Sequence, residues 1–250
     1  MKNPYRWDNL TSPQIKKLSE EGAIVLVPVG STEQHGPHLP VGTDALMATA
    51  MSEKLAAALG EKGVPCVVAP TIAVANSTHH MSFAGSLTLR PETYLALLRD
   101  YCHSIASHGF RKILLVNGHG GNIAPTNTAL ISINEELGFP VYFTGYWQAS
   151  AQAEQGMIHA CEEETSLVLA LDDSLVDPIY KETKGNPGHG SPMLDEGVWE
   201  TFHRMEAHTE NGVMGNSYAA TKEKGEALTK RMVEDLAEKL ADPSIWEQKV

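Results

Sequence analysis

Four short apolar runs, Ala23–Val29, Val64–Ala69, Ile113–Val116 and Val141–Thr144, recur along the chain with helix-like stretches between them. Their residues are apolar almost without a break, the pattern of strands buried on both faces. Parallel strands need long crossovers, and helices supply them here. The alternation therefore predicts a three-layer α/β/α sandwich around a mostly parallel central sheet. Thr11-Ser-Pro13 reads as a helix start, a hydroxyl cap before proline. A second helix is expected from Asp44 and Ala45 to Leu59. Pro91 opens a third with Leu95, Leu98, Cys102 and Ile105 on one face, a helical spacing. Further helices are expected over about 124–137, 161–171 and 219–240. With 250 residues and 42% apolar content, the chain suits one large domain over 1–250.

The formal charge of −12 argues against nucleic acid and against anionic membranes as partners, since both call for a basic face. Part of that excess suits metal binding, because carboxylate ligands count as negative until an ion arrives. Cys66, Cys102 and Cys161 cannot all pair, and the first two read as buried thiols. No apolar run reaches membrane-spanning length and the first residues hold no apolar signal core, so a cytoplasmic protein is expected.

In sheets of this kind, ligand sites form beyond the carboxyl ends of the strands. The four runs are followed there by Glu33/His35, His79/His80, His119 and Trp147. Glu33 and His35 are two apart and leave one face of an extended segment. With Asp44 they make three oxygen or nitrogen donors suited to a divalent ion such as zinc or manganese. The plainer reading of Asp44 is a cap for the helix starting at Ala45. Asn117-Gly-His119-Gly-Gly-Asn122 sets one imidazole among glycines. It lacks both the Gly-x-Gly-x-x-Gly spacing and the P-loop lysine, which favours a metal ligand over a phosphate cradle. In His159-Ala-Cys161-Glu-Glu-Glu164, three acids at a helix start could merely complement its dipole, or one could face inward. A Cys161–His159 nucleophile pair is the weaker alternative. Of His79 and His80, one is expected in a pocket wall and the other at the surface. His38, His103, His108, His189, His203 and His208 carry no motif.

These segments, Pro28–Pro40 with Gly42-Thr-Asp44, Leu115–Asn122 and His159–Ser166, resemble the creatininase (creatinine amidohydrolase) family. Weaker echoes are His80–Ser86 and Gly212–Gly215. The resemblance implies an α/β/α sandwich, a centre of two divalent metal ions (zinc or manganese, with iron a further option), C–N bond hydrolysis and a hexamer. It implies that Glu33, Asp44 and His119 hold one ion, and that His35 and the bridging Asp44 hold the second. Creatininase completes that second ion with a glutamate where this chain has Gly121, so Glu164 inherits the role. His159 matches the family's acid/base histidine, and Cys161 replaces a common glycine.

The expected activity is hydrolysis of a small cyclic or linear amide by a hydroxide bridging two ions, with His159 giving a proton to the leaving nitrogen. The same site could instead open a lactone or a C–C bond in a cyclic ketone. The non-enzyme alternative is a structural or sensor domain with a closed coordination sphere. His80, Gly120 and Trp147 are expected to line the substrate pocket. Creatinine itself is not expected to be the main substrate. Trp147 matches one aromatic of the family's clamp, but Gly120 replaces a tyrosine and the stretch around Gln155-Gly156 has no aromatic.

Overall fold

The computed structural model describes residues 3–149, 158–186 and 202–248. Its centre is a four-stranded parallel sheet in the order β2-β1-β3-β4, with β1 Ile24–Val29, β2 Cys66–Val68, β3 Lys112–Asn117 and β4 Val141–Gly145. Around it lie α1 Ser12–Glu20, α2 Thr43–Glu61, α3 Pro91–Ser107, α4 Ile123–Leu137, α5 Glu162–Leu171 and α6 Lys222–Leu240. The mostly parallel sheet between helical layers is the architecture expected from the apolar runs.

Because strand side chains alternate, β1 feeds two cores. Ile24 and Leu26 pack with Met47, Met51 and Leu55 of α2, Leu167 of α5 and Met232 and Leu236 of α6. Val25, Val27 and Val29 pack on the other face with Ile15 of α1, Tyr94, Leu98 and Cys102 of α3 and Ile133 of α4. Each such side chain, when fully buried, contributes about 1.5–3 kcal/mol. Burial on both sides explains why β1 could be read from an unbroken apolar run.

Register then sets the level of the loops. Val29 pairs with Asn117, and Asn117 with Gly145. Three strands therefore end in line, and Gly30, Gly118 and Tyr146 leave the sheet side by side. The first turn of α2 is pressed against two of those exits. A Cβ on Gly30 would lie 2.4 Å from the Ala45 Cα, and one on Gly118 would lie 2.4 Å from the Asp44 carbonyl oxygen. Only glycine leaves room for the helix to come this close.

Some boundaries differ from expectation. The strand expected over 64–69 shortens to three paired residues. α1 begins with a capping box between Thr11 and Gln14. α2 begins at Thr43 with Gly42 at its N-cap, so Asp44 lies inside the first turn and is not the cap. α6 starts at Lys222, where the Thr221 hydroxyl accepts the Lys224 N–H at 3.1 Å. All three cysteines are buried. Among the described residues, no helix is long and apolar enough to cross a membrane.

Candidate metal centre

Beyond the aligned strand ends, Glu33, His35, Asp44, His79, His80, His119, His159 and Glu164 all converge and are all buried. Three segments deliver most of them. The chain after β1 brings Glu33 and His35, α2 brings Asp44 from its first turn, and the loop after β3 brings His119. That last loop is tied down by its own asparagines. The Asn117 amide donates to the His119 carbonyl at 2.7 Å, and the Asn122 amide to the Gly30 carbonyl at 3.0 Å. The two asparagines of the motif thus clamp the His119 turn to the tip of β1.

One ring nitrogen of each of two histidines is fixed as a donor by its backbone partner, since a carbonyl oxygen only accepts. His35 Nδ1 is 3.0 Å from the Glu33 carbonyl and therefore carries the proton. Its Nε2 faces Asp44 Oδ1 at 3.1 Å and Glu164 Oε1 at 3.6 Å. His119 Nε2 donates to the Asn76 carbonyl at 2.9 Å. Its Nδ1 faces Glu33 Oε1 at 3.1 Å and Asp44 Oδ2 at 3.2 Å. Anchoring one ring nitrogen on the backbone is how metal-binding imidazoles are commonly oriented.

Close as these atoms are, both Glu33 oxygens and Asp44 Oδ2 lack any aligned hydrogen bond. Buried carboxylate oxygens without partners cost several kcal/mol (of order, for a charged group) unless a cation serves them. Donors at metal distance around one tetrahedral ion stand roughly 3.3 Å apart, close to the separations seen here. The residues fit a divalent ion. Glu33, His35 and Asp44 form one group able to hold it, and His35, His159 and Glu164 form another.

Without an ion, the facing carboxylates hold the His35 and His119 imidazoles charged, and a divalent cation would take the place of those protons. Burial pushes the Glu33 carboxyl above its ordinary range, and the Asp44 charge adds to that. Asp44 is held well below its ordinary value, because His35 and His119 outweigh its burial. Burial lowers His119, but Glu33 and Asp44 overcome this and hold it at about 10. His159 goes the other way: burial, with His35 beside it, keeps its imidazole neutral.

The acidic run at α5 resolves into two roles. Glu162 and Glu163 pair with Lys224 of α6 at 2.6 and 3.0 Å. Glu164 turns inward and its Oε2 accepts the Ala160 N–H at 2.5 Å. Ala160, with φ of 51°, holds the left-handed turn that carries His159 back toward the cluster. Cys161 stands at the N-cap position of α5, and burial pushes its thiol up to about 12, which weighs against the nucleophile-pair alternative.

Other expectations change. His79 and His80 are both buried, where one had been expected at the surface. The His79 ring stacks on His119 at 5.4 Å and fills the space over Gly121, where a Cβ would meet His79 Cε1 at 2.7 Å. His38, read as an ordinary polar position, is buried against the Thr165 hydroxyl at 2.9 Å. Gly120 is exposed, with open space where a Cβ would stand, beside His119. Trp147 packs edge-on against Tyr146 and on the α2/α6 core. The Gln155-Gly156 stretch and His189 lie outside the described residues. Two further residues join the site. Tyr146 is fully buried with an unpartnered hydroxyl, within electrostatic reach of Glu164 and Asp44. Gln34 touches His80 and His159. Its place between Glu33 and His35 was the available signal, but strand alternation turned it to the wrong face.

Residues 8–240 match the family described as creatinine amidohydrolase. The chain belongs to the creatininase family. It is 32% identical over 223 residues to the "Mycofactocin precursor peptide peptidase" of Mycobacterium ulcerans (strain Agy99), covering 87% of this chain and 84% of that one. It is 30% identical over 178 residues to the "3-dehydro-scyllo-inosose hydrolase" of Thermotoga maritima (strain MSB8), covering 66% and 55%. Among solved structures, a Bacteroides fragilis NCTC 9343 protein provisionally called a creatinine amidohydrolase superposes with TM-score 0.85 at 26% identity, over 100% and 99% of the two chains. Solved creatininases of this fold include manganese and zinc–zinc forms. These relatives are hydrolases, and this chain is a creatininase-family hydrolase with a buried cluster able to hold metal.

Proposed function

We propose that this chain is a divalent-metal-dependent amidohydrolase that cleaves a C–N bond in a small linear or cyclic amide other than creatinine. One observation carries the reading: the unpartnered oxygens of Glu33 and Asp44 converge with the inward-facing ring nitrogens of His35 and His119. In this reading Glu33, Asp44 and His119 hold one ion, and His35, Asp44 and Glu164 hold a second, with Asp44 shared. Zinc, manganese and iron all accept such a donor set. A divalent ion there supplies Lewis acidity, lowering the pKa of water and polarising a carbonyl.

The protein's own part is proton transfer and positioning. His159 is neutral and presents Nδ1 toward the Glu33 side of the cluster, 3.8 Å from Oε1. It takes a proton from the attacking water and returns it to the leaving nitrogen. A buried imidazolium is costly, which favours handing the proton on. His80, Gly120 and Trp147 bound the substrate. The open face at Gly120 is the approach, and a site open to substrate suits catalysis better than a sensor's closed sphere. With no ring at Gly120, a flat heterocycle loses a contact worth about 1–3 kcal/mol, by analogy with base stacking.

The peptidase name among the relatives favours a linear amide. The inosose hydrolase name favours the second reading, in which the same residues open a lactone or a C–C bond of a cyclic ketone. Metal-loaded protein assayed against lactams, cyclic ureas, formamides, short peptides and lactones separates them. Turnover of an amide, lost with chelator and restored by a divalent ion, is expected. Activity confined to lactones or cyclic ketones supports the second reading. Creatinine turned over with the highest kcat/KM of the panel removes the exclusion of creatinine.

A further inference from the structure

We propose that Gln34 is a positioning residue that sets the tautomers of two site histidines, so that His80 presents an N–H at Nε2 and His159 a bare Nδ1. The orientation of the Gln34 carboxamide comes first. Its Oε1 accepts the Gly36 N–H at 2.9 Å, and its Nε2 lies 3.0 Å from the Gly212 carbonyl. Neither contact survives exchanging oxygen and nitrogen, so Nε2 is the donor end. That same Nε2 lies 2.9 Å from His80 Nδ1 and 3.0 Å from His159 Nε2. His159 Nε2 also lies 2.9 Å from the Gln34 backbone carbonyl.

Three acceptors and three protons are then matched in one way. The Gln34 carbonyl requires the proton on His159 Nε2. The Gly212 carbonyl requires one amide proton, and the second goes to His80 Nδ1. His80 must therefore be bare at Nδ1 and protonated at Nε2, the atom 3.2 Å from Glu33 Oε1. Both His80 nitrogens are thereby engaged, so the grouping of Glu33, His80 and His159 offers an ion no free imidazole lone pair from His80. Metal is directed instead toward His35 and His119. Gly212 cradles the carboxamide: its φ is +81°, and a Cβ there would lie 1.8 Å from Gln34 Oε1.

The role in turnover rests on the hydrolase reading above, whereas the tautomer assignment stands without it. Zinc-loaded full-length protein labelled with ¹⁵N-histidine, observed by long-range ¹H–¹⁵N correlation, tests it directly. His80 is expected as the Nε2–H form, and His159 with its proton on Nε2 and Nδ1 either bare or on the metal. In Gln34→Glu the side chain can only accept, so His80 is expected to reverse to Nδ1–H. His159 keeps its form, because its partner is the backbone of residue 34. Gly212→Ala is expected to displace the carboxamide and leave His80 a mixture. A parent spectrum showing Nδ1–H on His80, or an unchanged His80 in a folded Gln34→Glu, overturns the proposal. The parent spectrum decides alone should the variants fail to fold. Zinc stoichiometry measured on the same samples separates the two readings. Correct tautomers without bound zinc count against the metal-dependent hydrolase, and reversed tautomers with full zinc count against Gln34.

Discussion

Asp44 is the residue on which the centre turns, because its two oxygens face different histidines, Oδ1 to His35 and Oδ2 to His119. Asp44→Ala is expected to lower bound metal by roughly tenfold or more, given what ligand-orienting partners alone contribute. His119→Ala is expected to remove mainly one of two ions. Elemental analysis of gel-filtered protein checks both, and a parent chain without stoichiometric metal under metal-replete conditions would end the account. Glu164→Gln is expected to reduce metal and turnover together, whereas Glu163→Gln, on the Lys224 side, leaves metal content intact. The reverse pattern would mean that α5 is rotated. His38 gives a pH prediction. Burial lowers its imidazole from 6.5 to about 4, so the unfolded chain takes up a proton that the folded one refuses between those values. Its contribution is complete above the unfolded value and is lost as pH falls from 6.5 toward 4. The slope approaches about 1.4 kcal/mol per pH unit. Urea midpoints over that range should fall less steeply in His38→Gln than in the parent; equal slopes would refute the assignment.

At the scale of elements, the centre depends on how closely α2 approaches the ends of β1 and β3. Gly30→Ala would drive a Cβ into the backbone at Ala45, so the helix must retreat and carry Asp44 with it. Overpacking of this kind costs about 1–3 kcal/mol, and metal affinity should drop in the same variant. Gly42→Ala, beside the same helix start, meets nothing within 4 Å and is the control, expected to leave both unchanged. Thermal melts with and without added zinc distinguish the pair. A Gly30→Ala protein that binds and melts like the parent would show that helix contact does not position Asp44.

For the whole molecule, the prediction is self-assembly, as a hexamer. Val41, Leu46, Met81 and Leu87 remain 39–54% exposed, and all belong to segments flanking the centre. Large apolar side chains left outward in one region are what a subunit contact uses. Sedimentation at micromolar concentration should give a species several times 27.1 kDa, and Leu87→Glu should shift it toward the monomer. A parent chain sedimenting as a 27.1 kDa monomer would refute assembly.

Much of this protein was readable in one dimension because its signals are local. Apolar runs flanked by glycine mark the buried strands β1 and β3 and the half-buried edge strand β4, so these and the edge where Glu33, His35 and His119 emerge could be placed from sequence. Pro91 and the Leu98, Cys102, Ile105 spacing did the same for α3. What sequence left open depends on distance between segments far apart in the chain. Whether Asp44 capped a helix or faced histidines was decided by the contact of α2 with Gly30 and Gly118. Of three adjacent glutamates, two pair with Lys224, about sixty residues away, and the third turns inward onto the Ala160 N–H. His79 and His80 were buried by a neighbouring loop, and Gln34 left the face that strand alternation assigns it because the chain after β1 is no longer a strand. Periodicity reports which side of an element is apolar; only packed segments determine which donors share a space a few ångströms wide.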